Sequence, residues 1–210
     1  MSYAEVSSLI NTAGVPNNFN IAIASDWGCK GDAENTAKNI QSHNPELVIA
    51  GGDLSYKGTA TCWMHIIAPF KDKTIISMGD HDYDDTVGGK AGAFKDYLQP
   101  LGMKNTYYGF NLHNVHFLAI DPYIAYGPNS PQYKYVINDL KSASTDPNID
   151  WIFVIEHIPF YTSPSKHPAD STIREVFSPL FDRYNVDLVF SGDNHNYQRT
   201  YPLIYNPNDG

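Results

Sequence analysis

Asp26, Asp53, Asp80, His157 and Asp193 share one context: each stands within a residue or two of the end of a short aliphatic run. The runs are FNIAIAS (19–25), ELVIAGG (46–52), KTIISMG (73–79), DWIFVIE (150–156) and VDLVFSG (186–192). Each has the length and the branched apolar content of a buried strand. Tyr56 follows Asp53 by three residues, His81 and Asp82 follow Asp80 directly, and His195 follows Asp193 by two. A single Asp after a Gly is an ordinary turn residue. Five strand ends with the same chemistry, imidazoles included, are harder to assign to turns. Ligands of an open parallel sheet sit in the crevice outside the carboxyl ends of its strands. Carboxylates gathered there repel one another unless cations lie between them. Mixed Asp and His donors suit zinc, iron or manganese. More donors than one ion needs points to two metal ions ~3.5–4 Å apart, an arrangement used for in-line displacement at phosphorus.

The elements that must position these groups follow from periodicity and punctuation. Asp32 is placed to cap a helix running to His43, with Pro45 just beyond its end. Helical stretches are expected at 61–70, 91–98, 130–143 and 171–184, the third of these with Pro131 in its first turn. Segment 105–121 reads as two strands around a short turn containing Asn114. Alternating strands and helices with one antiparallel hairpin give an α/β fold, mainly parallel, with outer helices. The chain shows no repeat, low-complexity tract or linker, so residues 1–210 are expected to form a single domain after a leader segment of about 18 residues, a length soft by a few residues as boundaries are. If the fold has a second half-sheet, strands after residue 210 are missing.

Composition narrows the function classes. Apolar residues make up 42% and charged residues 18%, which fits a globular chain rather than a disordered one. A formal net charge of −9 speaks against a nucleic-acid partner or an anionic membrane surface. A small phosphorylated substrate then needs a local cation to reverse the field. No apolar run approaches the length of a membrane span, and the first residues lack the basic and apolar regions of a signal peptide. Compartment is left open; secretion or a periplasmic life requires a removed leader. Cys29 and Cys62 admit three states: free thiols, one bridge, or thiolate ligands.

The set DWG, GDLSY, GDHD, EHIPFY and GDNHNYQR, in this order over residues 26–199, resembles the calcineurin-like metallophosphoesterases. Tyr56 in GDLSY makes it most similar to the purple acid phosphatase branch. The resemblance implies a sandwich of mixed, mainly parallel sheets with outer helices, and a binuclear centre. The first ion would take Asp26, Tyr56 and His195, with Asp53 bridging, and the second Asp53, Asp80, His157 and Asp193. Iron is implied at the first site and iron, zinc, manganese or magnesium at the second. The implied chemistry is hydrolysis of phosphate esters, monoesters first, by a metal-bound hydroxide. Alternatives are a diesterase or nucleotidase, or a metal-binding protein whose phosphatase activity has faded. His81 is the residue implied near the leaving-group oxygen, and an imidazole titrating near 6.5 can donate there. Asp82 would orient it. Against these roles stand the ordinary ones: a rim tyrosine and an exposed loop histidine.

Two positions depart from the family pattern, both at the second ion. Asp80 stands where the family has Asn, and Asp193 where it has the first His of Gly-His-x-His. Five anionic donors then face a ferric–divalent pair, and no surplus positive charge is left for phosphate. At ~4 Å a unit charge is worth about 4 kcal/mol at an effective dielectric near 20, so phosphate should bind less well. Carboxylate in place of imidazole also shifts preference toward manganese, magnesium or calcium. Lys30, Lys57, Lys166 and Arg199 follow these strand ends and could compensate, although exposed lysine is the default. His43, His65, His113, His116 and His167 receive no role.

Overall fold

The structure is a computed structural model that describes residues 19–56, 59–84, 88–163 and 166–206. The leader segment and Lys57 lie outside the described residues. Strands β1 (Ile21–Ala24), β2 (Leu47–Gly51) and β3 (Thr74–Ser77) form a parallel sheet in that order. Strands β4 (Tyr108–Leu112), β5 (Val115–Ala119), β6 (Trp151–Ile155) and β7 (Leu188–Phe190) form a second sheet, again in chain order. There β4 and β5 are antiparallel and the rest parallel. The β4–β5 turn is His113-Asn114, with His113 at φ 53 supplying the positive φ such a two-residue turn needs at its first position. The helices are α1 (Gly31–His43), α2 (Ala60–Ile67), the short α3 (Gly89–Ala93), α4 (Pro131–Ala143) and α5 (Ser171–Arg183).

Alternation along the second sheet builds two cores. Val115, Phe117, Ala119 and Ile155 face a core shared with the first sheet and with Ala33, Ala37 and Ile40 of α1 and Trp63 of α2. Leu118, Ile152 and Val154 face the other way, against Val136 and Leu140 of α4 and Phe177 and Phe181 of α5. The result is a helix–sheet–sheet–helix stack. Rings of Phe110, Phe117, Phe153 and Phe190 make successive contacts at 5.2, 5.6 and 5.7 Å across all four strands of the second sheet. Such stacked and edge-on pairs add to the burial of the rings themselves.

Some expectations change. FNIAIAS and VDLVFSG read as buried strands, yet β1 is half-buried and Leu188 and Val189 of β7 are 47% and 37% exposed. Both are terminal strands, but so are β3 and β4, which are buried; β1 and β7 differ in that less of the described chain covers their side chains. Asp32 does not cap α1: Lys30 occupies that position without a side-chain cap, and Asp32 sits inside the first turn, where its charge still complements the helix dipole. The helix expected at 61–70 ends at Ile67, and a 3-10 segment, Ala68–Lys73, with Pro69 near its start, continues it. The stretch at 91–98 begins at Gly89 and passes through a π turn, Phe94–Leu98.

α4 starts as expected, with Pro131 at its first position and the Ser130 side chain accepting the Tyr133 N–H at 3.0 Å. Ser130→Ala should lower unfolding stability by about 1 kcal/mol in urea titration, while Ser130→Asp should retain most of it.

Candidate metal centre

The ends of β1, β2, β3, β6 and β7 meet at one edge of the two sheets. After β2, Gly52 adopts φ +88, and a Cβ there would run into the His157 ring and lie 2.9 Å from Gly79 N. A Cβ on Gly79 would strike the Asp53 carboxylate and backbone. These two glycines let neighbouring strand ends approach closely enough for their side chains to share a space. Asp26, Asp53 and Asp193 all carry positive φ, at 55, 49 and 65. Non-glycine residues enter this region rarely, and held strain of this kind gathers at functional sites.

His157 is fully buried, and its Nδ1 lies 2.8 Å from the Gly51 carbonyl oxygen. A carbonyl only accepts, so Nδ1 carries a proton, and Nε2 is the ring nitrogen turned to the carboxylates. That Nε2 has no hydrogen-bond partner. It faces Asp53 Oδ1 at 3.5 Å and Asp80 Oδ1 at 3.9 Å. Donor atoms of Asp80, His157 and Asp193 lie within 4.8 Å of one another, as do those of Asp26, Asp53 and His157 and those of Asp53, Asp80 and His81. That arrangement is favourable only with positive charge between ring and carboxylates, carried by a proton or by a metal ion.

On the other flank, His195 Nε2 lies 3.3 Å from Asp26 Oδ1 and 3.3 Å from the Tyr56 hydroxyl. Asp26 Oδ2 accepts the Asp193 N–H at 3.1 Å, and Oδ1 is buried with no hydrogen-bond partner. Burial pushes the Asp53 carboxyl up to about 6, opposed by His157 and aided by Asp80. Burial also raises the Tyr56 phenol, with Asp26 and Asp53 adding to the effect. Burial raises Asp193, against the pull of His157 and His167. Metal-free, Asp53, Tyr56 and Asp193 disfavour their own anionic forms. Orphaned buried donors, strained aspartates and carboxyls pushed upward fit a site that takes cations.

All eight residues expected at the site are brought together: Asp26, Asp53, Tyr56, Asp80, His81, His157, Asp193 and His195. Asp82 behaves differently. It is fully buried and does not touch His81; its Oδ1 accepts the Leu54 N–H at 2.9 Å and its Oδ2 the Gly79 N–H at 2.8 Å. It therefore locks the Asp53 loop to the Asp80 loop. Asp84 is the carboxylate beside His81, with Oδ2 at 4.0 Å from Nδ1. Lys30, Lys166 and Arg199 are exposed.

Other contributors escaped the sequence. His167 Nδ1 lies 3.3 Å from Asp193 Oδ1, and Tyr123 donates its hydroxyl to Asp80 Oδ1 at 3.4 Å. Each carboxylate that departs from the family pattern thus has an imidazole or a hydroxyl beside it. Asn194 ties the loop down by donating Nδ2 to the His167 carbonyl at 2.9 Å and to Thr162 Oγ1 at 3.2 Å. An open cleft of ≈ 450 Å³ adjoins Asp80 and Asp193, with Tyr123, Ile158, Pro168 and Asp170 on its walls.

Residues 19–197 match the calcineurin-like phosphoesterase family. The chain belongs to that family. Purple acid phosphatase 21 of Arabidopsis thaliana is 28% identical over 209 residues, 91% of this chain and 47% of the relative. Probable purple acid phosphatase 20 of the same plant is 26% identical over 203 residues, covering 88% and 47%. This phosphoesterase-family chain spans about half the length of the curated relatives it matches. Among solved structures, a purple acid phosphatase from yellow lupin (Lupinus luteus) seeds superposes with a TM-score of 0.70 at 18% identity, over 90% of this chain and 40% of the other. GAP50, the anchor in the inner membrane complex of Plasmodium, gives 0.65 at 19% identity, over 85% and 66%. At these identities the superpositions speak for the fold.

The Asp82 lock can be tested apart from any metal. Asp82→Ala leaves two buried N–H groups unmatched and should cost about 3 kcal/mol of stability in chemical denaturation, whereas Asp82→Asn, which keeps one acceptor, should cost less.

Proposed function

We propose that this chain hydrolyses phosphate esters, monoesters first, with two metal ions held at the converging strand ends. The observation that carries the proposal is the buried His157 Nε2, unpartnered and aimed at the Asp53 and Asp80 carboxylates. Asp26, Tyr56 and His195 would hold one ion, His157, Asp80 and Asp193 the other, and Asp53 both. Iron suits the first group, because only a strongly charged ion keeps a phenol deprotonated in acid. Iron, zinc, manganese or magnesium suit the second, and its extra carboxylates favour the harder ions. When bound, such ions supply positive charge to the phosphoryl oxygens and acidify water.

The chain's own groups would do the rest. His81, its side chain 45% exposed, stands over the Tyr56 ring with centroids 4.7 Å apart. Asp84 on the Nδ1 side leaves Nε2 to give a proton to the departing alcohol oxygen. The Tyr123 hydroxyl and His167 restrain Asp80 and Asp193, so the two added charges are partly spoken for. The cleft beside them is where the alcohol part of a small phosphorylated substrate would lie.

A second reading is favoured by the same two aspartates: a metal-binding protein on this fold with reduced phosphatase activity. Turnover of p-nitrophenyl phosphate, and of a diester, by the full chain loaded with iron, zinc, manganese or magnesium separates the two. Metallated protein without turnover supports the second. For the first, His157→Ala should lower turnover by roughly 100-fold or more, together with metal content. Asp80→Asn combined with Asp193→His should raise turnover; a folded, metallated double variant with no gain counts against the charge argument. A visible absorption band of the iron-loaded protein, bleached in Tyr56→Phe, identifies ferric tyrosinate.

A further inference from the structure

Cys29 and Cys62 are joined in a disulfide, the second of the three states the sequence allows. The bridge lies outside the acidic cluster but closes around the segment that carries Tyr56. Asp26 is three residues before Cys29, and Tyr56 is six before Cys62. Between them, Gly28 adopts φ +62, and a Cβ there would sit 3.3 Å from Tyr56 Cδ2 and 3.5 Å from Cε2. The bare α-carbon therefore lets the ring lie against this loop. Cys29 Sγ is 3.5 Å from the Thr59 carbonyl oxygen, and Cys62 N donates to that same oxygen at 2.9 Å. Thr59 Oγ1 in turn donates to the Tyr56 carbonyl at 2.8 Å. On the near side, the N–H groups of Asp26 and Trp27 donate to the carbonyls of Gly52 and Asp53 at 3.1 and 3.0 Å. The Tyr56 segment is thus pinned to the Asp26 loop before the phenol by backbone hydrogen bonds and after it by the bridge.

We propose that Cys29 and Cys62 are positioning residues for Tyr56: their bridge holds the phenol oxygen against Asp26 and His195 and so sets how tightly that side takes a trivalent cation. The proposal rests on Tyr56 being a ligand. Opening the bridge with a dithiol breaks the sulfur–sulfur bond, leaves Cys29 and Cys62 as thiols with two electrons and two protons gained, and closes the reductant into its own disulfide. The Asp26 side then loses one of its two ties to Tyr56. Asp80, His157 and Asp193 stand on strand ends the bridge does not touch and keep their arrangement.

The test is the full chain carrying Cys29→Ser and Cys62→Ser. Hydrogen exchange of the metal-free protein should quicken over 26–31 and 59–63 and stay unchanged over 188–193. Ferric affinity should fall about tenfold, the loss typical when a ligand's support is removed, and the visible band should shift. Manganese(II) uptake, followed by electron paramagnetic resonance, should not change. Ferric uptake that Tyr56→Phe leaves untouched would sink the ligand role. A wild-type band that Tyr56→Phe bleaches, but that the double variant reproduces in position and affinity, would sink the bridge's role alone. Should the double variant not fold, exchange in the metal-free wild-type chain under dithiothreitol reads the same segments, and unaltered exchange overturns the proposal.

Discussion

The hydrogen bond from His157 Nδ1 to the Gly51 carbonyl joins residues 106 apart and crosses from the second sheet to the first. It fixes the imidazole tautomer, and with it which ring nitrogen faces the carboxylates. Gly52 must lack a Cβ for the ring to reach that carbonyl. Without this contact the two sheets would still pack through their aromatic cores, but the His157 ring could rotate and Nε2 would no longer be held toward the carboxylates. An interaction of ordinary strength therefore decides the chemistry of the whole edge, because it acts on orientation rather than on stability.

Around it the chain gathers features that suit a cation-binding edge. Three aspartates sit in left-handed backbone, two buried polar atoms lack partners, and Asp53 and Asp193 are pushed toward their neutral forms. Asp82 supplies the opposing rigidity. Its carboxylate, also raised by burial, accepts backbone N–H groups that favour the anion, and it holds the Asp53 and Asp80 loops in register. Strain in the ligands and rigidity directly beneath them is the combination expected of a preorganised site.

Much of this was legible in the sequence because the site repeats one local device, an aliphatic strand followed by a polar turn. That device pointed to the five strands whose ends carry the eight converging residues, and the hairpin signal in 105–121 supplied the other two. What escaped depends on contacts without local signature. Nothing in PSKHPAD shows that His167 lies against Asp193, and nothing in DPYIAY shows that Tyr123 reaches Asp80; both follow from how loops after different strands lean together. Asp82 was misassigned because adjacency to His81 suggested a partner, while the backbone turned its side chain the other way, into the core. β1 and β7 read as buried because aliphatic content reports strand propensity and cannot say which strand's faces the rest of the fold covers. The state of the two cysteines depended on a separation in space that a gap of 33 residues does not reveal.

The candidate donors span residues 26 to 195, drawn from both sheets. The stretch from Asp26 to His81 carries five of the eight, on the first sheet, while His157, Asp193 and His195 follow strands of the second, so the centre is complete only when the two sheets have met. Contacts this distant along the chain form late, after loop closure has been offset by core burial. Ion capture would then be among the last events of maturation, and the finished architecture rather than any nascent segment would choose the ion.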